Sequence, residues 1–267
     1  MPTLPTPPRA AAQQHSGWAV AWATLTGVRH QISEDCPDFH FSKKIGGLAV
    51  AVADGVGGGA RGDIAAQTLA RHCVSVPAAL LGERAGLAQW LRLAEAQVQA
   101  RLREVTFSPG AATLAAAWLT DDGAGWVTHI GDCRLYHCQP GQILALTQDH
   151  SYAATGETPP PGVPASAPAR MVGTGCMGEP KLRRIALMPG ESLLLCSDGL
   201  HGVLDAPRIA ELLAQHGGDA QAACIALAQA ARAAGGEDDI TVLLVRRCAA
   251  TAWWRRWGAC VDNWATH

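Results

Sequence analysis

Four aspartates stand where an apolar run starts or stops beside a glycine or another acid. Asp54 closes the run Gly47-Leu-Ala-Val-Ala-Val-Ala and is followed at once by Gly55. Asp132 lies in Gly131-Asp132-Cys133-Arg134, and Asp198 follows Ser192-Leu-Leu-Leu-Cys196-Ser197 and precedes Gly199. Asp238 sits in Glu237-Asp238-Asp239, just ahead of Ile240-Thr-Val-Leu-Leu-Val245. A carboxylate at the end of a buried strand is held still by a rigid element. One such end is ordinary, a solvated Asp on a glycine turn. Its recurrence points to chemistry, because strand ends of a sheet-based core can converge on one edge. Carboxylates gathered there repel and need cations. Oxygen-only ligands suit Mg²⁺, Mn²⁺ or Ca²⁺ rather than zinc, and no His pair at helical metal-ligand spacing competes. Two cations bridged by a carboxylate lower the pKa of a shared water and neutralise the oxygens of a phosphate ester, so in-line attack at phosphorus is the matching reaction. Residue types and spacing carry the reading as far as an acid-lined metal site on a mixed fold.

The elements that must hold these acids can be taken in order. The chain has 267 residues, 48% of them hydrophobic, enough for one large domain or two small ones. A net charge of −2 gives no bulk attraction to nucleic acid. Nine cysteines are scattered singly, without a Cys-x-x-Cys pair, and the start of the chain lacks the basic and apolar segments of a secretory signal. Free thiols in a reducing cytosol follow. No apolar run is long enough to span a bilayer.

Residues 1–15, rich in proline at the start, are expected to be a flexible leader. Trp18 to Thr26 predicts a strand with both tryptophans on one face, and Gly27 to Asp38 predicts a polar, acidic loop carrying Arg29, Glu34 and Asp35. The Asp54 strand comes next, then a helix along Ile64, Leu69, Cys73 and Val76 that ends at Pro77. A clearer helix follows along Leu87, Leu91, Ala94, Val98, Leu102 and Val105, with Glu, Gln and Arg opposite. Short strands over 111–119, 125–130, 134–137 and 143–146 predict antiparallel pairing. Tyr152 to Arg170 contains five prolines and no period, as a long loop over a site would. Strands at 183–187 and 192–196, helices at 207–215 and 220–234, and a last buried strand from Ile240 complete the pattern. The tail from Thr251 holds four of the nine tryptophans. It reads either as a terminal helix packed on the domain or as an interfacial anchor, with packing favoured.

Taken together, the motifs resemble the metal-dependent PPM-type protein serine/threonine phosphatases, the phosphatase 2C family, in its bacterial form. Ser33-Glu34-Asp35, Asp54-Gly55-Val56-Gly57-Gly58, Gly110-Ala-Ala-Thr113-Leu114, Gly131-Asp132-Cys133-Arg134, Leu146-Thr147-Gln-Asp149-His150-Ser151, Ser197-Asp198-Gly199-Leu200 and Asp238-Asp239-Ile240-Thr241 match its motifs in order. The resemblance implies an α+β fold, a four-layer α/β/β/α sandwich of two mixed, mainly antiparallel sheets flanked by helices. It implies a phosphatase domain over 16–248 with a flap at about 152–170, and a separate tail over 249–267. It implies two Mn²⁺ or Mg²⁺ ions with a possible third. Asp54 would bridge two ions with the Gly55 carbonyl, Asp198 and Asp238 would complete one shell, Glu34 and Asp35 would hold waters on the other, and Asp132 would help hold the third. Asp54, Asp198 and Asp238 are thus the catalytic set. The family's phosphate-binding arginine falls at His30, with Arg29 one residue earlier; either a one-residue shift in the loop delivers Arg29 to the substrate phosphate, or phosphate binding is weaker. Val56 stands where eukaryotic members carry a histidine, and Asp239 replaces the common Asn. The implied activity is hydrolysis of phosphoserine and phosphothreonine by attack of a metal-bridged water, on protein partners and opposite a serine/threonine kinase, by a cytoplasmic, monomeric signalling enzyme. A non-catalytic metal-containing phosphoprotein-binding scaffold and a calcium-stabilised structural domain are the rivals.

Overall fold

Runs of Val, Ala and Leu with no polar face become strands covered on both sides. The computed structural model describes residues 7–42, 46–56, 61–105 and 109–248. Gly57 to Gly59 and the tryptophan-rich tail lie outside the described residues, and so do the two readings of that tail. In chain order the strands are β1 (Arg9–His15), β2 (Trp18–Leu25), β3 (Asp35–Ser42), β4 (Gly47–Gly55), β5 (Ala112–Thr120), β6 (Ala124–Ile130), β7 (Arg134–Gln139), β8 (Gln142–Ala145), β9 (Arg183–Ala186), β10 (Ser192–Cys196) and β11 (Ile240–Arg247). The helices are α1 (Gly62–Val74), α2 (Arg84–Val105), the short α3 (Tyr152–Thr155) and α4 (Asp198–His201), α5 (Ala206–Gln215) and α6 (Ala220–Ala233).

One sheet has the order β1-β2-β11-β10-β7-β8 and the other β3-β4-β5-β6-β9, with every named pair antiparallel. Three apolar layers follow from side-chain alternation. Val20, Val50, Val52, Leu195, Leu243 and their neighbours fill the space between the sheets. Ala51, Ala53, Leu114 and Ala116 turn outward onto Leu69 and Cys73 of α1 and Leu87, Leu91 and Val98 of α2. Leu194, Val242 and Leu244 turn the other way onto Ile209 of α5 and Cys224 and Leu227 of α6. The result is the four-layer α/β/β/α sandwich. The apolar stripe expected of α2 is buried from Leu87 to Leu102. Side chains of Asp205 and Asp219 cap α5 and α6 by accepting from Arg208 N and from Gln221 N and Ala222 N.

Three expectations need correction. Arg9–His15, expected within a flexible leader, is an edge strand paired along its whole length with β2. Its residues are mostly exposed, so what fixes it is the open row of backbone donors and acceptors on β2 rather than burial of its own side chains. The acidic loop ends earlier than expected, because Asp35 already begins β3, opposite Asp54. Pro37 is tolerated there because β3 is an edge strand, where one missing N–H costs no ladder bond on the open side. Finally, β6 and β7 are not partners: the chain leaves one sheet at Ile130 and enters the other at Arg134. Asp132 lies on this crossing.

Register explains why the acids meet. In one sheet Asp54 is opposite Asp35 and Thr113, and Leu114 is opposite Ile130, just before Asp132. In the other, Cys196 is opposite both Arg134 and Val242, which places Asp132, Asp198 and Asp238 just beyond one end of that sheet. Two glycines permit the close approach. A Cβ on Gly55 would lie 2.5 Å from the carbonyl of Gly62 at the start of α1, and one on Gly199 would collide with the carbonyl of Asp239.

Candidate metal centre

Glu34, Asp54, Gly55, Thr113, Asp132, Asp198, Asp238 and Asp239 line one small cavity of about 160 Å³, together with His30, Val56 and Pro168. The four acids singled out from strand ends therefore share one site, with Glu34 and the Gly55 backbone beside them. Among these lining residues His30 is the one side chain able to carry positive charge. Burial and like charge drive Asp54, Asp198, Asp132 and Glu34 toward protonation. Asp54 is pushed well above the ordinary carboxylate range by burial and then by Asp35, Asp198, Asp132 and Asp238. Burial, followed by Asp132 and Asp238, raises Asp198 to about 7. Burial raises Asp132 to about 6, with the Asp149 charge adding to it and the Thr113 hydroxyl bond opposing it. Glu34 is raised by its own desolvation.

Asp35 lies beneath this cavity. Its Oδ2 accepts from Ser197 Oγ at 2.7 Å, and Ser197 Oγ accepts from Thr241 N at 2.9 Å. Its Oδ1 is buried with no hydrogen-bond partner among the described residues, and burial raises its pKa to about 8. An orphaned carboxylate oxygen costs free energy unless a cation or a cation-held water meets it. That orphan and the pile of oxygen ligands fit hard divalent cations and do not fit zinc.

The loop from Gly27 to Glu34 is held by Asp239. Asp239 Oδ1 accepts from Gly27 N at 2.6 Å, and Oδ2 accepts from Glu34 N at 2.7 Å and meets His30 Nδ1 at 2.9 Å. The histidine's pKa is raised, chiefly by that bond. One ligand atom each of His30, Asp238 and Asp239 lie within 4.8 Å of one another. Arg29, expected at the substrate phosphate, goes elsewhere: its guanidinium bonds Glu237 at 2.6 Å with the side chain 80% exposed, and it does not line the cavity. Val28 N, bonded to Glu237 O at 2.8 Å, sets that outward course.

On the far side, the turn bearing Asp132 is clamped by the next motif. Arg134 makes a paired contact with Asp149, Nε to Oδ1 at 2.7 Å and Nη2 to Oδ2 at 2.8 Å. His150 N donates to Gly131 O at 2.8 Å and its Nδ1 faces Gly131 N. The His150 ring stacks on His129 at 4.2 Å, and burial lowers its pKa to about 4. These contacts hold the turn that bears Asp132. The expected flap begins with α3 and is pinned at its neck, Tyr152 N to Ala167 O, Ala153 N to Ala165 O and Arg170 to Glu157. Its Pro168 reaches the cavity. Thr113, Ser197 and Asp239 were not singled out as functional. Each occurs inside a motif quoted above, and only contacts from distant parts of the chain reveal what each side chain holds.

The family described as Protein phosphatase 2C matches residues 26–245. Listeria monocytogenes serine/threonine phosphatase stp is 29% identical over 225 residues, covering 78% of this chain and 87% of that protein. The PPM Ser-Thr phosphatase MsPP from Mycobacterium smegmatis, solved in complex with cacodylate, is 30% identical, with TM-score 0.69 over 85% of this chain and 97% of that one. The catalytic domain of serine threonine protein phosphatase PstP, solved in complex with two manganese ions, is 26% identical, with TM-score 0.69 over 87% and 99%.

Proposed function

The chain belongs to the protein phosphatase 2C family, and from that premise we propose how its own residues divide the work. It is a metal-dependent protein serine/threonine phosphatase that uses Mn²⁺ or Mg²⁺. The observation that carries the assignment of residues is the convergence of Asp54, Asp132, Asp198 and Asp238 on one cavity. Asp54 would be the shared ligand, since it lines the cavity opposite Asp35 and Asp35, Asp198, Asp132 and Asp238 all bear on its charge. The Gly55 carbonyl would join Asp54, Asp198 and Asp238 would complete one cation's shell, Glu34 and Asp35 would hold waters on a second, and Asp132 would help hold a possible third. When bound, these cations acidify water and offset the charge of phosphoryl oxygens. The scaffold reading has no use for a cluster of acids whose ionisation is so costly.

The remaining residues bind and orient. With Nδ1 engaged by Asp239, Nε2 is the ring atom of His30 left to meet a phosphoryl oxygen. We therefore assign the phosphate contact to His30, because Arg29 is committed to Glu237. Val56 and Pro168 supply an apolar wall that limits bulk water in the cavity. Phosphorylated proteins are the substrates. Their counterpart is a serine/threonine kinase, and the protein acts as a monomer in the cytoplasm. The eight cysteines among the described residues are all free thiols, which supports a reducing compartment. No helix among the described residues is long and apolar enough to cross a membrane.

Release of phosphate from a phosphothreonine peptide tests the assignment. Turnover is expected with Mn²⁺ and is expected to vanish with a chelator. Asp198→Asn is expected to lower kcat by roughly 10³-fold or more while circular dichroism stays unchanged. Purified protein that neither takes up Mn²⁺ nor releases phosphate in its excess overturns the reading.

A further inference from the structure

The two most exposed large apolar side chains among the described residues are Ile32 at 71% and Val28 at 62%. Single exposed apolar residues are common and mean little. These two sit four positions apart on the same loop, on either side of His30, which lines the cavity. The loop is not slack. Buried Asp239 grips it at Gly27 N, His30 Nδ1 and Glu34 N, and Val28 N donates to Glu237 O. Its backbone holds both side chains toward solvent, with neither joining an apolar core among the described residues.

We propose that the loop over residues 27–33 reads the substrate, with Val28 and Ile32 receiving apolar side chains that flank the phosphorylated serine or threonine. The inference rests on the phosphatase reading above and names a substrate class for the same site. Continuity supports it, because His30, which lines the cavity, stands between Val28 and Ile32 in the same anchored loop. Arg29 is paired with Glu237, and neutral apolar flanks gain from covering Val28 and Ile32.

Two phosphothreonine peptides test this, identical except for leucine or glycine on each side of the phosphorylated residue. With the full chain and Mn²⁺, kcat/KM is expected to favour the leucine peptide about tenfold, the discrimination typical of apolar contacts. In the double variant Val28→Ser, Ile32→Ser the ratio is expected to fall to about one, through KM rather than kcat. Both positions are solvent-exposed, so the fold is expected to tolerate the change. A wild-type ratio near one, or a ratio the double variant leaves intact, overturns the proposal. Calorimetric binding of the same peptides with Mn²⁺ separates the two levels. Leucine preference in binding without any turnover sustains the loop's role and removes the phosphatase reading. Turnover with no preference in binding or catalysis removes the loop's role alone.

Discussion

Asp54 is half-buried at the cavity and feels four other carboxylates, which makes it the residue where metal and stability are expected to be most tightly linked. Without cations its charge is a burden, since burial and like charge both oppose ionisation. Asp54→Asn is therefore expected to raise the melting temperature of the chelator-treated protein by about 2–4 °C for each ~1 kcal/mol of repulsion removed, while abolishing phosphate release in Mn²⁺. Thermal melts with and without Mn²⁺ check this. The wild type is expected to gain stability from Mn²⁺ and the variant to gain much less. A variant that melts lower than wild type in chelator would show that Asp54 has a structural partner instead. His30 and Arg29 make the complementary point. Adjacent in sequence, they part because one finds a buried carboxylate and the other an exposed one.

At the scale of elements, the loop between β2 and β3 depends on a residue at the start of β11. Asp239 is buried and accepts two backbone N–H groups and the His30 ring. Removing it strands Gly27 N and Glu34 N. Asp239→Ala is expected to cost about 3 kcal/mol, and to speed amide exchange of Gly27 and Glu34 ahead of global unfolding. Hydrogen exchange read residue by residue checks the second effect, which a uniform loss of stability would not produce. Asp239→Asn should cost less, because its carbonyl can keep one of the amide bonds. The loop over residues 152–170 is a different kind of element. Its neck is closed by backbone bonds between residues 152–153 and 165–167 and by the Arg170–Glu157 pair, so Pro168 is delivered to the cavity by a closed loop rather than by a strand.

For the whole molecule, the two sheets bring their acid-bearing ends to one edge, and pH reports the result. Asp35, Asp198 and Asp54 have folded-state pKa values raised above the unfolded carboxylate range, Asp35 to about 8 and Asp198 to about 7. The native state thus holds protons that the unfolded state has lost, and stability falls as pH rises through those values. His72, His129, His150 and His201 have lowered pKa values. They act in the opposite sense only below their unfolded pKa of about 6.5. Between about pH 7 and 9 the chelator-treated protein is therefore expected to lose stability steadily. Saturating Mn²⁺ is expected to flatten or reverse that slope, because it favours the ionised acids. Denaturant melts at three pH values in each condition check the sign.

The period of apolar residues fixed most elements from the sequence, down to the Leu87–Leu102 stripe of α2 and the strand ends that carry Asp54, Asp198 and Asp238. Those signals are local: a buried face writes itself into spacing, and a strand end beside glycine writes itself into the next residue. The order of the motifs named the family for the same reason. Tertiary structure alone decided what depends on distant partners. It made Arg9–His15 a strand by offering the open edge of β2. It made Asp239 the anchor of a loop 205 to 212 positions away. It also turned His30 into the cavity and Arg29 out of it. A single buried hydrogen-bond acceptor can choose between neighbouring side chains, and nothing in their own spacing records that choice.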